Sequence, residues 1–220
     1  LSAISDANDA VEILPLDVTD EDQIAALGTE MTGRYGRVDA LFNVAGVLGD
    51  GTTTPGPERS LARLDAEWMR RSMEVNCIGP ALLARELAPL MTTTVAARRG
   101  RGESSSTTRA PSVIVNVSAR VGSISDNNLG GWYSYRCSKA ALNQYTRTLS
   151  HELKRKGVWV LALHPGTTDT DLSRPFQKNV KEGRLFPVEF TVGRLLDVVD
   201  GMEEGHCGGF FDWDGRALPF

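Results

Sequence analysis

The chain has 220 residues, 41% hydrophobic and 24% charged, with 24 Lys and Arg against 28 Asp and Glu for a formal charge of −4. That length suits one domain with a real core, and the acidic balance argues against nucleic acid as the main partner, since phosphate binding usually shows a basic surplus. Cys77, Cys137 and Cys207 are far apart with no C-x-x-C spacing, which argues against a disulfide scaffold or a zinc knuckle. No apolar run reaches the ~18–20 residues of a membrane span, so no membrane partner is expected. The opening residues, Leu1 to Asp6, read as neither a signal nor a transit peptide, and a cytoplasmic location is expected, with an organellar leader ahead of Leu1 left open.

Residues 12–16 (EILPL) read as a short strand. Thr19 is the expected N-cap of the following helix, with Asp22 as its capping-box partner. Ile24, Leu27, Met31 and Tyr35 then follow at helical spacing, and Gly36 ends the segment. Residues 38–44 are nearly all apolar, the pattern of a strand buried on both faces. A long helix is expected from about Asp65 to Met91. Residues 92–112 are rich in Ser, Thr, Arg and Gly without an apolar period, and read as a flexible surface insertion. Residues 113–117 form the next strand. A helix follows through Ala141, Leu142, Tyr145, Leu149 and Leu153, with Lys154, Arg155 and Lys156 in its last turn and Gly157 as its stop. Residues 158–163 read as a strand, 191–202 as a helix and 209–213 as a final strand.

Strands alternating with helices predict a single α/β domain: a doubly wound parallel sheet with helices on both faces. Ligands on such sheets sit beyond the carboxyl ends of the strands. Asp17, residues 43–46, Ser118 and His164-Pro165-Gly166 occupy those ends.

Tyr135 and Lys139 are four apart, which on a helix places both on one face. An ammonium beside a phenol favours phenolate and is expected to lower the Tyr135 pKa, making it a usable acid or base. Tyr133 has only Cys137 at the same spacing. A Tyr-x-x-x-Lys pair alone is weak evidence. Ser118, at a strand end, adds a hydroxyl that could bond a substrate carbonyl. Pro80 lies four residues after Asn76 and cannot donate to its carbonyl, which is expected to be left free for water or a side chain. The bland readings are a solvated pair, a loop hydroxyl and a structural kink.

In order, Asp17-Val18, Asn43-Val44-Ala45-Gly46, Asn76, Ser118, Tyr135-Arg136-Cys137-Ser138-Lys139 and Pro165-Gly166-Thr167-Thr168-Asp169-Thr170 resemble the short-chain dehydrogenase/reductase family, over essentially the whole chain. The runs Ser118-Ala119-Arg120-Val121-Gly122-Ser123, Gly130-Gly131-Trp132-Tyr133-Ser134-Tyr135 and Phe211-Asp212-Trp213-Asp214-Gly215 are similar to its C-factor-like branch. The resemblance implies a Rossmann-type fold and hydride transfer between a nicotinamide and a small carbonyl or alcohol. Tyr135 would move the proton, Lys139 would lower its pKa and hold the nicotinamide ribose, Ser118 would orient the carbonyl, and Asn76 would hold a water. Asp17 and Val18 would contact adenine, and Asn43, Ala45 and Gly46 its ribose. Pro165 and Gly166 would lie against the cofactor, with Thr168 and Thr170 on its carboxamide. The segment 171–186 would cover the substrate, and Leu172, Pro175, Phe176, Leu185 and Phe186 suit a partly apolar one. A homodimer or homotetramer is implied as well.

The family opens with a strand and a T-G-x-x-x-G-x-G turn, whose glycines let N–H groups approach the pyrophosphate. No such turn occurs here, since Gly46, Gly49 and Gly51 follow the Asn-Val-Ala-Gly run. The sheet is therefore expected to lack the family's first two strands. Residues 12–16 would then have no ladder partner, residues 38–44 would carry a bare edge, and a further segment is expected before Leu1. The C-factor-like resemblance leans towards NADP, with NAD the alternative. The rival reading is a truncated, non-catalytic binding or regulatory protein. A serine hydrolase fits poorly, because Ser118 lacks a G-x-S-x-G setting. His151, His164 and His206 show no metal-ligand spacing.

Overall fold

The computed structural model describes residues 10–49, 57–100 and 112–220, with residues 93–100 by their backbone alone. In chain order the main elements are α1 (Glu21–Arg34), β1 (Ala40–Asn43), α2 (Ala66–Met73), α3 (Gly79–Gly100), β2 (Ser112–Val117), α4 (Tyr133–Leu153), β3 (Val158–His164), β4 (Thr167–Thr168), β5 (Leu185–Phe186), α5 (Val188–Asp200) and β6 (Phe210–Asp212). β1, β2, β3 and β6 lie side by side in that order, all parallel, as the alternation of strands and helices predicts. β4 and β5 pair with each other apart from this sheet.

The Val- and Ile-rich runs of β2 and β3 are buried on both faces. Alternate residues point to opposite sides. On one side Ile114, Val158 and Val160 pack under Ala84, Leu87, Leu90 and Met91 of α3 and Leu153 of α4. On the other, Val113, Val115, Leu161 and Leu163 pack against Leu195, Val198 and Val199 of α5. Among the described residues no helix is long and apolar enough to cross a membrane.

Several expectations change. Residues 12–16 form no strand, having no ladder partner among the described residues. Side chains tie this segment to α1 instead: the Glu12 carboxylate accepts from the Arg34 guanidinium and the Tyr35 hydroxyl, each at 2.7 Å. The N-cap of α1 is Asp20, not Thr19; its carboxylate accepts from the Asp22 and Gln23 N–H groups at 3.0 Å. Thr19 turns back to Asp17. β1 is not buried on both faces, since Phe42 is 39% exposed. Among the described residues only β2 pairs with it.

The long helix starts after Asp65 as expected, but a π-helical turn at Glu74–Ile78 splits it into α2 and α3. Pro80 follows that turn. Its missing N–H and its ring favour a break in the regular ladder there. The backbone of α3 continues past Met91 to Gly100, so the first part of the expected surface insertion is helical. Residues 101–111 of that insertion lie outside the described residues.

Candidate active site

The carboxyl ends of β1, β2 and β3 open on a cleft of about 1050 Å³. Ser118, Tyr135, Lys139, Gly46, Pro165, Gly166, Thr168 and Thr170 all line it. The structure thus brings together the expected acid/base pair, the strand-end serine and the Pro-Gly turn. Asp17, Val18, Asn43 and Ala45 stand outside its walls.

α4 supplies the central pair from one face. Lys139 is 3% exposed, and its Nζ donates to the Val117 carbonyl at 2.8 Å. The same Nζ lies 5.8 Å from the centre of the Tyr135 ring. Two glycines make this approach feasible. A Cβ on Gly122 would come within 2.8 Å of the Lys139 backbone and Cβ, so only glycine lets the turn after β2 press on α4. A Cβ on Gly46 would lie 3.3 Å from Asn76 Oδ1 and 3.5 Å from Lys139 Nζ.

Burial drives the ionisation of both groups. It lowers the Lys139 pKa to about 8, against a smaller upward pull from Cys77. It also raises Tyr135 above the usual phenol value. The expected depression of Tyr135 by its lysine is therefore not what the folded chain shows. Lys139 directs its ammonium at a carbonyl, and loss of solvation dominates at the phenol.

Ser118 is 2% exposed; its backbone N–H donates to Leu163 at 2.7 Å and its hydroxyl donates to Asn143 Oδ1 at 2.6 Å. Asn76 is fully buried, and its side chain acts as a latch. Its Oδ1 accepts from the Val47 N–H at 2.7 Å, and its Nδ2 donates to the Val47 carbonyl at 2.9 Å and to Ser138 Oγ at 3.0 Å. This joins the loop after β1 to α4. Asn43, expected near a ribose, instead donates to Asn116 Oδ1 at 2.8 Å, and Asn116 donates to Thr146 Oγ1 at 2.9 Å. It faces α4 through the sheet rather than the cleft.

On the far side, Leu172 and Phe176 from the expected covering segment line the cleft, while Pro175, Leu185 and Phe186 do not. Thr168 Oγ1 lies 3.0 Å from Thr191 Oγ1, tying β4 to α5. His164 also lines the cleft; burial, with help from Arg120, lowers its pKa to about 4 despite Asp212. Its Nδ1 is buried without a partner. Ser118 bonds Asn143 rather than His164, so no hydrolase-type nucleophile and base are paired. Among the described residues no cluster of three or more His, Cys, Asp or Glu could hold a metal.

Asn143, Asn116 and Thr146 escaped the sequence reading as site residues. One signal marks Asn143 and Thr146, while Asn116 lies in β2 outside it. Ser138, Lys139, Asn143, Thr146 and Ser150 repeat at helical spacing and are all buried, so the face of α4 that should be an apolar stripe carries polar groups.

The family model for short chain dehydrogenases matches residues 1–181. A 1-hydroxy-2-glutathionyl-2-methyl-3-butene dehydrogenase of a Rhodococcus species is 32% identical over 205 residues, covering 93% of this chain and 78% of the relative. The C-signal protein of Myxococcus xanthus is 32% identical over 185 residues, covering 84% of this chain and 94% of its own length. An NADPH-bound carbonyl reductase from chicken fatty liver superposes with a TM-score of 0.84 at 26% identity, covering all of this chain (100%) and 81% of that one. With the Tyr135-x-x-x-Lys139 pair, Ser118 and the Pro165-Gly166 turn gathered at the carboxyl edge of a parallel sheet, these matches place the chain in the short-chain dehydrogenase family of oxidoreductases.

Proposed function

We propose that this chain transfers a hydride between a nicotinamide cofactor, NADP by preference, and the carbonyl or alcohol carbon of a small, partly apolar molecule. The observation that carries this reading is the convergence of Ser118, Tyr135 and Lys139 on one cleft at the sheet's carboxyl edge. The cofactor preference rests on the NADPH-bound carbonyl reductase to which the fold is similar.

The residues present fit the nicotinamide half of such a cofactor. Val115 and Val117 give an apolar floor, Thr168 and Thr170 bring hydroxyls to one side, and the unpartnered His164 Nδ1 leaves a polar atom in the wall. When bound, the nicotinamide supplies or takes the hydride. Tyr135 keeps its proton in the folded chain and donates it to the substrate oxygen during reduction. Ser118 turns its hydroxyl from Asn143 to the same oxygen. Lys139 holds the ribose, and its charge stabilises the phenolate that Tyr135 leaves behind. Pro165, Gly166, Thr168 and Thr170 position the ring and its carboxamide.

A screen of small carbonyl compounds with NADPH and with NADH, followed by nicotinamide absorbance, tests this. Turnover is expected with NADPH. Tyr135→Phe is expected to lose at least about 100-fold in kcat, the lower end of a general acid's contribution, while cofactor binding holds. Full turnover in that variant removes Tyr135 from its role. NADP binding without turnover of any carbonyl moves the reading to a non-catalytic binding protein.

A further inference from the structure

The turn leading into α4 is strained and held from outside the helix. Gly130, Gly131 and Trp132 have φ of 65°, 64° and 54°, three consecutive residues in the left-handed region. Trp132 is the only non-glycine with positive φ among the described residues. A side chain there is sterically unfavourable, and such residues persist where their surroundings over-determine them. Trp132 is also the N-cap of α4 and makes no side-chain cap.

Glu58 fills that role from a distant part of the chain. It is 3% exposed. Its backbone carbonyl accepts from the Trp132 N–H at 2.6 Å. Its carboxylate accepts from the Ser134 N–H at 3.3 Å and 3.4 Å, and from the Ser134 hydroxyl. A carboxylate suits the partial positive charge of a helix N-terminus, and burial removes competing water. The clamped turn lays the Trp132 indole 5.2 Å from the Phe176 ring and 6.3 Å from the Tyr135 ring. All three side chains line the cleft.

We propose that Glu58 is a positioning residue: by capping α4 and holding Trp132 in its left-handed conformation, it sets which carbonyl compounds reach Tyr135 without touching them. This rests on the cleft being the reaction site. An intact clamp favours bulky apolar carbonyls, which pack on the indole, over small ones. A plain stabilising cap would leave that preference alone.

The test compares Glu58→Ala, Glu58→Gln, Trp132→Ala and the Glu58→Ala/Trp132→Ala double variant in the full chain. The first readout is the ratio of kcat/KM for a bulky aryl ketone to that for a small aliphatic carbonyl, which does not depend on the folded fraction. Glu58→Ala is expected to lower the ratio by on the order of tenfold, in the direction of Trp132→Ala. Glu58→Gln, which keeps an acceptor, falls between, and the double variant goes no further than Trp132→Ala. The second readout is amide exchange at Ser134. Exchange is expected to quicken by at least about tenfold in Glu58→Ala while the β3 amides hold. A wild-type ratio in Glu58→Ala, with Trp132→Ala shifted, overturns the proposal. So does unchanged Ser134 exchange. Should no carbonyl turn over even in the wild type, the reaction assigned to the cleft fails, and the exchange readout still judges the clamp.

Discussion

At the scale of single residues, solvation governs the site. Tyr135 holds its proton because burial withholds from a phenolate the water that would stabilise it. Lys139 suffers the same loss in the opposite sense, and its pKa falls to about 8. Its charge is thus present below that pH and lost above it. The kcat/KM for carbonyl reduction is expected to hold up to about pH 8 and to fall beyond as the ammonium that stabilises the Tyr135 phenolate disappears. A pH–rate profile checks this, and one that stays flat beyond that pH assigns Lys139 no charge role. His164 gives a stability prediction. Its folded pKa of about 4 lies below the ordinary 6.5, so the unfolded chain takes up the proton first as the pH drops. Stability is therefore complete above about 6.5 and lost between 6.5 and about 4, by up to about 3 kcal/mol. Urea titrations near neutral pH and near pH 4 should show that loss, and His164→Leu should flatten it.

At the scale of elements, the site is assembled by side chains that join one segment to another. Asn76 sits on the π turn between α2 and α3 and satisfies both backbone groups of Val47. Asn76→Ala leaves both Val47 groups without their partner. It is expected to destabilise the fold by about 1–3 kcal/mol, the usual penalty for a buried polar group left unpaired, as a lower urea midpoint. The start of α1 offers a milder case. Asp20 caps it, while Thr19 bonds Asp17. Asp20→Ala should lower stability by about 1 kcal/mol, and Thr19→Ala by less, in thermal unfolding of the two variants side by side.

At the scale of the whole molecule, stability is concentrated where the sheet is covered twice. β3 lies between β2 and β6, and its residues from Val158 to Leu163 are all buried. Leu161 is fully buried in the cluster that meets α5. Leu161→Ala is expected to remove about 2–5 kcal/mol in urea unfolding, through lost burial and the cavity left behind. Leu172→Ala, at a cleft residue 38% exposed, should change stability little. β1 is the opposite case. Phe42 and Val44 are 39% and 65% exposed, and the strand pairs on one edge only among the described residues.

The sequence by itself determined the alternation of strands and helices, the parallel sheet and the gathering of Ser118, Tyr135, Lys139 and Pro165-Gly166 at its carboxyl edge. The alternation and the sheet follow from local periodicity, and the place of Ser118 and Pro165-Gly166 from the rule that ligands meet such sheets at the strand ends; for Tyr135 and Lys139 the helical spacing gives a shared face, and the family resemblance implies the cleft. Residues 12–16 form no strand, because an apolar run becomes one only with a ladder partner, a property of its neighbours rather than of the run. Asn43 has the side chain to bind a ribose, yet register places it opposite Asn116, where it faces α4. Tertiary structure alone decided the ionisation of Tyr135 and Lys139, because desolvation depends on what surrounds a group in space. It alone brought Glu58 to the start of α4, across a sequence separation of 76 residues, for which no local spacing rule offers a sign.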